Sequence, residues 1–185
     1  MHTSSRLRQV ARGISVAALI ALVPAATLAQ SSNGVGNADP AKADELHQKA
    51  DQLLAMHQVS KWREVASLLE EAAALRPFED PTAVSELALA GEMHHFTGQL
   101  SQAQSVLQTA AEQALKNGYV LESAQLFLKA AFIAQERGHE TDVMALAQSA
   151  KQLAASPHLT QEECDCILSQ LLTAQKVDRI SSSRN

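Results

Sequence analysis

At 185 residues the chain has room for one ordinary domain. Hydrophobic residues are 46% of it and aromatics only 3%, so Ala and Leu must fill the core, which suits closely approaching helices and suits strands poorly. A formal charge of −5 argues against nonspecific nucleic-acid binding, where Lys and Arg neutralising phosphates supply most of the affinity.

The opening stretch, 1–29, has the layout of a cleavable signal peptide. Arg6, Arg8 and Arg12 make a basic start, positions 13–28 are apolar except for Ser15, Pro24 and Thr27, and Thr27-Leu28-Ala29 offers small residues at the two positions a signal peptidase reads. The mature chain is then expected to begin at Gln30, in the periplasm or outside the cell. An uncleaved anchor is the alternative, but the run is short of the about 20 apolar residues a span needs. No Cys follows the run, which argues against a lipoprotein anchor. Losing three Arg and no acidic residue takes the formal charge from −5 to −8. No later apolar run is long enough to cross a bilayer. The segment 30–38, QSSNGVGNA, has almost nothing to bury and reads as a flexible linker.

Asp39-Pro40 opens the first helix, with an acceptor at the N-cap and Pro where a missing donor costs nothing. Leu46, Ala50, Leu53 and Leu54 give it one apolar face as far as about position 58. Ser60 can cap a second helix over 61–76, with Trp62, Val65, Leu68, Leu69, Ala72 and Ala73 inward and Pro77 as its stop. Asp80-Pro81 repeats the opening device for a third helix that ends near Thr97-Gly98. Ser101-x-x-Gln104 has the form of a capping box for the fourth, which Asn117-Gly118 terminates. The fifth, over 119–137, is apolar nearly all round and should be sandwiched between neighbours. The sixth runs over about 141–155. Thr160-x-x-Glu163 is a second capping box and opens a seventh helix with Cys166, Ile167, Leu171 and Leu172 inward. The tail, 178–185, has too little apolar content to order itself.

The spacing Leu87-x2-Ala90-Gly91-x2-His94, then Ala103-x3-Leu107, resembles the tetratricopeptide pattern W-x2-L-G-x2-Y…A-x3-F. Phe127-x2-Ala130-Ala131-x2-Ala134, then Val143-x3-Ala147, resembles it again, as does Val65-x3-Leu69 followed by Pro77. Lys49 and Gln52 depart from it in the first pair. Turns are expected at Ser60, Gly98 and Gly138, a spacing longer than the family's unit of about 34 residues by roughly one helical turn. The resemblance implies an all-α fold over 39–177, an antiparallel helix-hairpin repeat stack of three tetratricopeptide-like pairs and a C-terminal capping helix.

It also implies a protein-interaction module or scaffold of the bacterial cell envelope that is not an enzyme and carries no cofactor. Such proteins bind a peptide or helix along the concave face that their first helices line. Projected onto this chain, the groove candidates are His57, Glu92, His95, Phe96, Gln125, Lys129, Phe132 and Glu136. The competing assignment puts Phe96 and Phe132 in the core and the charges on a solvated face. Metal is the sharper rival: Glu92-x-x-His95 and Glu136-x-x-His139 share the spacing used by carboxylate-bridged di-metal bundles, but His139 lies beyond Gly138 and no metal site is expected. A purely structural, oligomerising helical domain is the other alternative. Cys164 and Cys166 stand two apart on one helix and so point to different sides, which leaves their redox state open. Walker, dinucleotide, Gly-x-Ser-x-Gly and His-Glu-x-x-His motifs are all missing from the sequence.

Overall fold

Asp39 and Asp80 each stand before a proline, and each caps a helix: the Asp39 carboxylate accepts from the Lys42 amide at 3.1 Å and that of Asp80 from the Thr82 amide at 2.9 Å. The computed structural model describes residues 38–182, with side-chain surroundings as far as Leu171. Among the described residues seven α-helices follow one another: α1 Pro40–Ala55, α2 Trp62–Leu75, α3 Pro81–Phe96, α4 Leu100–Lys116, α5 Val120–Glu136, α6 Glu140–Ala154 and α7 Gln161–Ser182. A short 3-10 turn, Val59–Lys61, leads into α2. Among the described residues there is no strand, so the all-α expectation holds. Each helix packs on the next, and α5 also meets α7.

Three helices stop in the same way. The Gly98 amide bonds to the His95 carbonyl and the Gln99 amide to the His94 carbonyl; Gly118 with Tyr119, then Gly138 with His139, repeat the pair of bonds at even intervals. This is the Schellman ending, which needs a residue at positive φ, and the three glycines supply φ of +75°, +85° and +73°. The turn after α1 has no glycine. His57 takes that place at φ +53°, its amide bonded to the Leu54 carbonyl. The first turn therefore centres on His57 rather than Ser60, and the like turns at His57, Gly98 and Gly138 become almost evenly spaced.

The apolar stripes close the core as three clusters, bordered in common by Leu87, Leu128 and Leu153. Val65, Leu68 and Leu69 of α2 pack with Ala50, Ala90, Met93 and Val106. Farther along, Leu107, Leu126, Phe127, Ile133 and Leu146 meet over a bed of alanines from α4, α5 and α6. Ala at these contacts lets the backbones approach. At Gly91 of α3 the Leu107 side chain of α4 fills the space a Cβ would take. As predicted, α5 is sandwiched, with eight of its residues buried. Its Ser123 hydroxyl donates to the Ala111 carbonyl of α4 at 2.8 Å.

A buried ionic knot ties the first three helices together. Glu86 of α3 is 1% exposed. Its two oxygens accept from Arg76 Nε and Nη2, both at 2.8 Å, and His47 Nδ1 of α1 lies 2.8 Å from Oε1. Arg76 also meets Asp44 and Asp80. Glu86 chiefly, with Asp44 and the other carboxylates, holds the guanidinium well above its ordinary range against the opposing effect of burial. Helical periodicity marks Glu86 only as a polar residue among apolar ones and gives no sign of its partners.

Several local expectations need correction. Ser60 lies inside the 3-10 turn and does not cap α2. The Ser101-x-x-Gln104 box does not form. The Gly98 turn already delivers the Gln99 carbonyl to the Ala103 amide at 2.9 Å, so α4 starts at Leu100, and the Gln104 side chain is drawn inward to Arg137 and Asp142. The Thr160-x-x-Glu163 box does form, the Thr160 amide and hydroxyl donating to Glu163 at 2.7 and 2.8 Å. Cys166 faces out, while Ile167 and Leu171 are buried; one turn of helix cannot turn both Cys166 and Ile167 to the same neighbour. The backbone of α7 runs on through Asp178 to Ser182, because no Gly or Pro interrupts the helix from Gln161 onward. The expected leader, 1–29, and linker positions 30–37 lie outside the described residues, as do 183–185.

Candidate functional site

Residues at 3 and 4 spacing on α3 and α5 come to one side of the two helices. Glu92, His95 and Phe96 project from α3, and Gln125, Lys129 and Phe132 from α5. Together they line an open depression of about 860 Å³, floored by Leu107, Leu128 and Ile133. Phe96 is 60% exposed and Phe132 50%, so both belong to the surface and neither is core. The rings form a chain: Trp62 of α2 stands edge-on to Phe96 with centroids 5.5 Å apart, His95 stacks on Phe96 at 6.0 Å, and His95 meets the Phe132 ring edge-on at 6.4 Å.

Two polar ties cross the depression from α3 to α5. Lys129 donates to Glu92, and His95 Nε2 lies 2.7 Å from Glu136 Oε2. Each is half-exposed and contributes less than about 1 kcal/mol to stability, so their value is in fixing the rotamers of the lining. His94 goes the other way. It is buried, with Nε2 2.7 Å from Glu70 of α2 and Nδ1 3.1 Å from Gln99 Oε1. Adjacent histidines on a helix thus serve two faces, one structural and one open.

Seven of the eight groove candidates are brought together: Glu92, His95, Phe96, Gln125, Lys129 and Phe132 line the depression, and Glu136 is bonded to His95. His57 is not among them. It sits in the turn after α1, its Nδ1 2.7 Å from the Ala55 carbonyl. Trp62 and the far wall, Ser169 and Gln170 of α7, were not foreseen from the sequence. A step from Lys129 as long as that from Gly98 to Gly138 lands on Ser169, so the repeat distance carried the signal for that wall.

Neither Glu-x-x-His pair acts as one. Glu92 is tied to Lys129, His95 to Glu136, and His139 to Asp142. Among the described residues no three His, Cys, Asp or Glu side chains converge as metal ligands would. Asp142 is held below the usual carboxylate range, chiefly by the hydrogen bond from Gln104, and this serves the α4–α6 junction. No helix among the described residues is long and apolar enough to cross a membrane. The depression offers ring faces, an aliphatic floor and a charged rim, which suits capture of a side chain. Compared with known proteins, the chain matches no family model, no curated protein and no solved structure.

Proposed function

We propose that this is a tetratricopeptide-like helical stack of the bacterial cell envelope, exported by its leader, that acts without turnover by holding a peptide or helix of another protein between α3 and α5. One observation carries the proposal. Phe96 and Phe132 are left 60% and 50% exposed beside a depression of about 860 Å³, on helices whose other large apolar side chains are all buried or partly buried. Exposed rings over a concave, largely apolar floor are the usual make-up of a binding site. The near-even spacing of like turns at His57, Gly98 and Gly138, with each helix packed on the next, supports the stacked-pair architecture.

The test is site-specific photo-crosslinking in the native envelope. A benzophenone side chain replacing Phe132 should give one discrete adduct, and the same group at Met144, 72% exposed on α6, should give none. Adding Phe96→Ser should abolish the adduct at a cost of about 1–2 kcal/mol, from the lost edge contact with Trp62 and the part of the ring that is covered, with the fold retained. Equal labelling from both positions, or none from position 132, removes the proposal.

A further inference from the structure

We propose that the occupant of the depression presents an arginine next to an apolar side chain, the guanidinium lying over the Phe96 and Phe132 rings with Glu136 as its counter-charge. This rests on the groove reading above and names the chemistry the groove selects.

Three observations lead there. The ring faces of Phe96 and Phe132 carry a negative quadrupole, and both rings are half or more exposed on either side of His95. Lys129 answers Glu92 within the lining, and Glu136, joined to the lining through His95, brings a second carboxylate. Lys129 is committed to Glu92. The carboxylate beside the rings is therefore Glu136, whose Oε2 is engaged by His95, the ring that touches both phenylalanines. A carboxylate has about four acceptor positions, so one contact leaves room for a second donor. The chain's charge of −5 favours approach of a cation over that of an anion. Arg fits better than Lys because its planar, weakly hydrated fork stacks on a ring and donates to a carboxylate at once.

The chain carries its own reporter. Trp62 is its single tryptophan and lies edge-on to Phe96. The experiment titrates phenethylguanidinium, phenethylammonium and the neutral isostere phenethylurea into the full chain, following Trp62 fluorescence and amide shifts of α3 and α5. Phenethylguanidinium should bind on the order of five- to tenfold tighter than the urea, with the ammonium between them. Glu136→Gln, whose amide oxygen can still accept from His95, should erase the advantage of the guanidinium over the urea. Lys129→Gln, which releases Glu92, should widen it. Equal binding of all three compounds overturns the arginine assignment and leaves the groove reading standing. A dimer of the chain dissolved equally by all three gives the depression to a second copy and overturns the assignment too. No response at Trp62, α3 or α5 to any compound overturns both.

Discussion

Gly91 of α3 lies against the Leu107 side chain of α4, and adding one methyl there should be felt through the core. A Cβ at that position would stand 2.6 Å from Leu107 Cγ and 2.9 Å from its Cδ2. Carbon atoms rest about 3.5–4.0 Å apart, so Leu107 would have to retreat by about 1 Å. Its room on the core side is limited: it is 1% exposed and shares a core cluster with Val84, Ala103, Ala111 and Leu126. Overpacking of this kind costs about 1–3 kcal/mol. Replacing a mid-helix Gly by Ala returns about 1 kcal/mol of helix propensity. Gly91→Ala should therefore lose about 0–2 kcal/mol where an open helix site would gain. Leu107→Ala alone should lose about 2–5 kcal/mol through the cavity it leaves. In the double variant the new methyl enters that cavity, so the combined loss should fall short of the sum by about 1–3 kcal/mol. Urea unfolding of the four proteins measures this, provided the denaturant slope stays constant. If Gly91→Ala is stabilised by the full propensity gain, or the two changes add to within about 0.3–0.5 kcal/mol, the close crossing is not there.

Glu86→Gln should lose about 3–5 kcal/mol, because it leaves Arg76 buried with its main counter-charge gone, and replacing both residues by Met should cost less than the single change. A thermal midpoint indistinguishable from the parent's would contradict the knot. Asp80 has its carboxyl held below the ordinary 3.8, chiefly by hydrogen bonds from Thr82. A depressed folded value stabilises above the unfolded value and ceases to as pH falls through the folded one. Asp80→Ala should thus cost about 1 kcal/mol at pH 7, and the gap to the parent should narrow below pH 3.8; a gap independent of pH would exclude the charge. His57→Gly should stabilise by up to about 1 kcal/mol, since a left-handed His is strained by about 1–2 kcal/mol and Gly is not. A lower melting temperature in that variant would show that the ring's bond to Ala55 outweighs the strain.

Helix positions were legible because punctuation and periodicity agreed. Asp-Pro, Asn-Gly and lone glycines bound stripes that repeat every 3 or 4 positions, and each signal acts within one turn of chain. What failed was longer in range. Ser101 is a good cap by its neighbours, but the preceding Gly98 turn closes sooner, and Gln104 finds Arg137 and Asp142 beyond the end of α5. Glu86 looks like a flaw in an apolar face until α1 and α2 bring His47 and Arg76 to it. The candidate site is legible on α3 and α5, whose exposed rings share a face, and is lost at His57, which projects onto the groove by family position but closes a turn. Trp62 was assigned to the core by its stripe, and only the approach of Phe96 reveals its second role.

The glycine endings at 98, 118 and 138 make the joint within a hairpin and the joint between hairpins alike. From α3 to α6 no seam marks where one pair stops and the next begins, whereas α2 ends without glycine, at an extended Arg76. Excising or duplicating the stretch from Gly98 to Gly138 would rejoin matching backbone ends, with each helix meeting a neighbour of the same alanine-rich surface. Were α3 and α5 to form the capturing face we propose, its length would be a count of such helix pairs, open to change by recombination at matching joints.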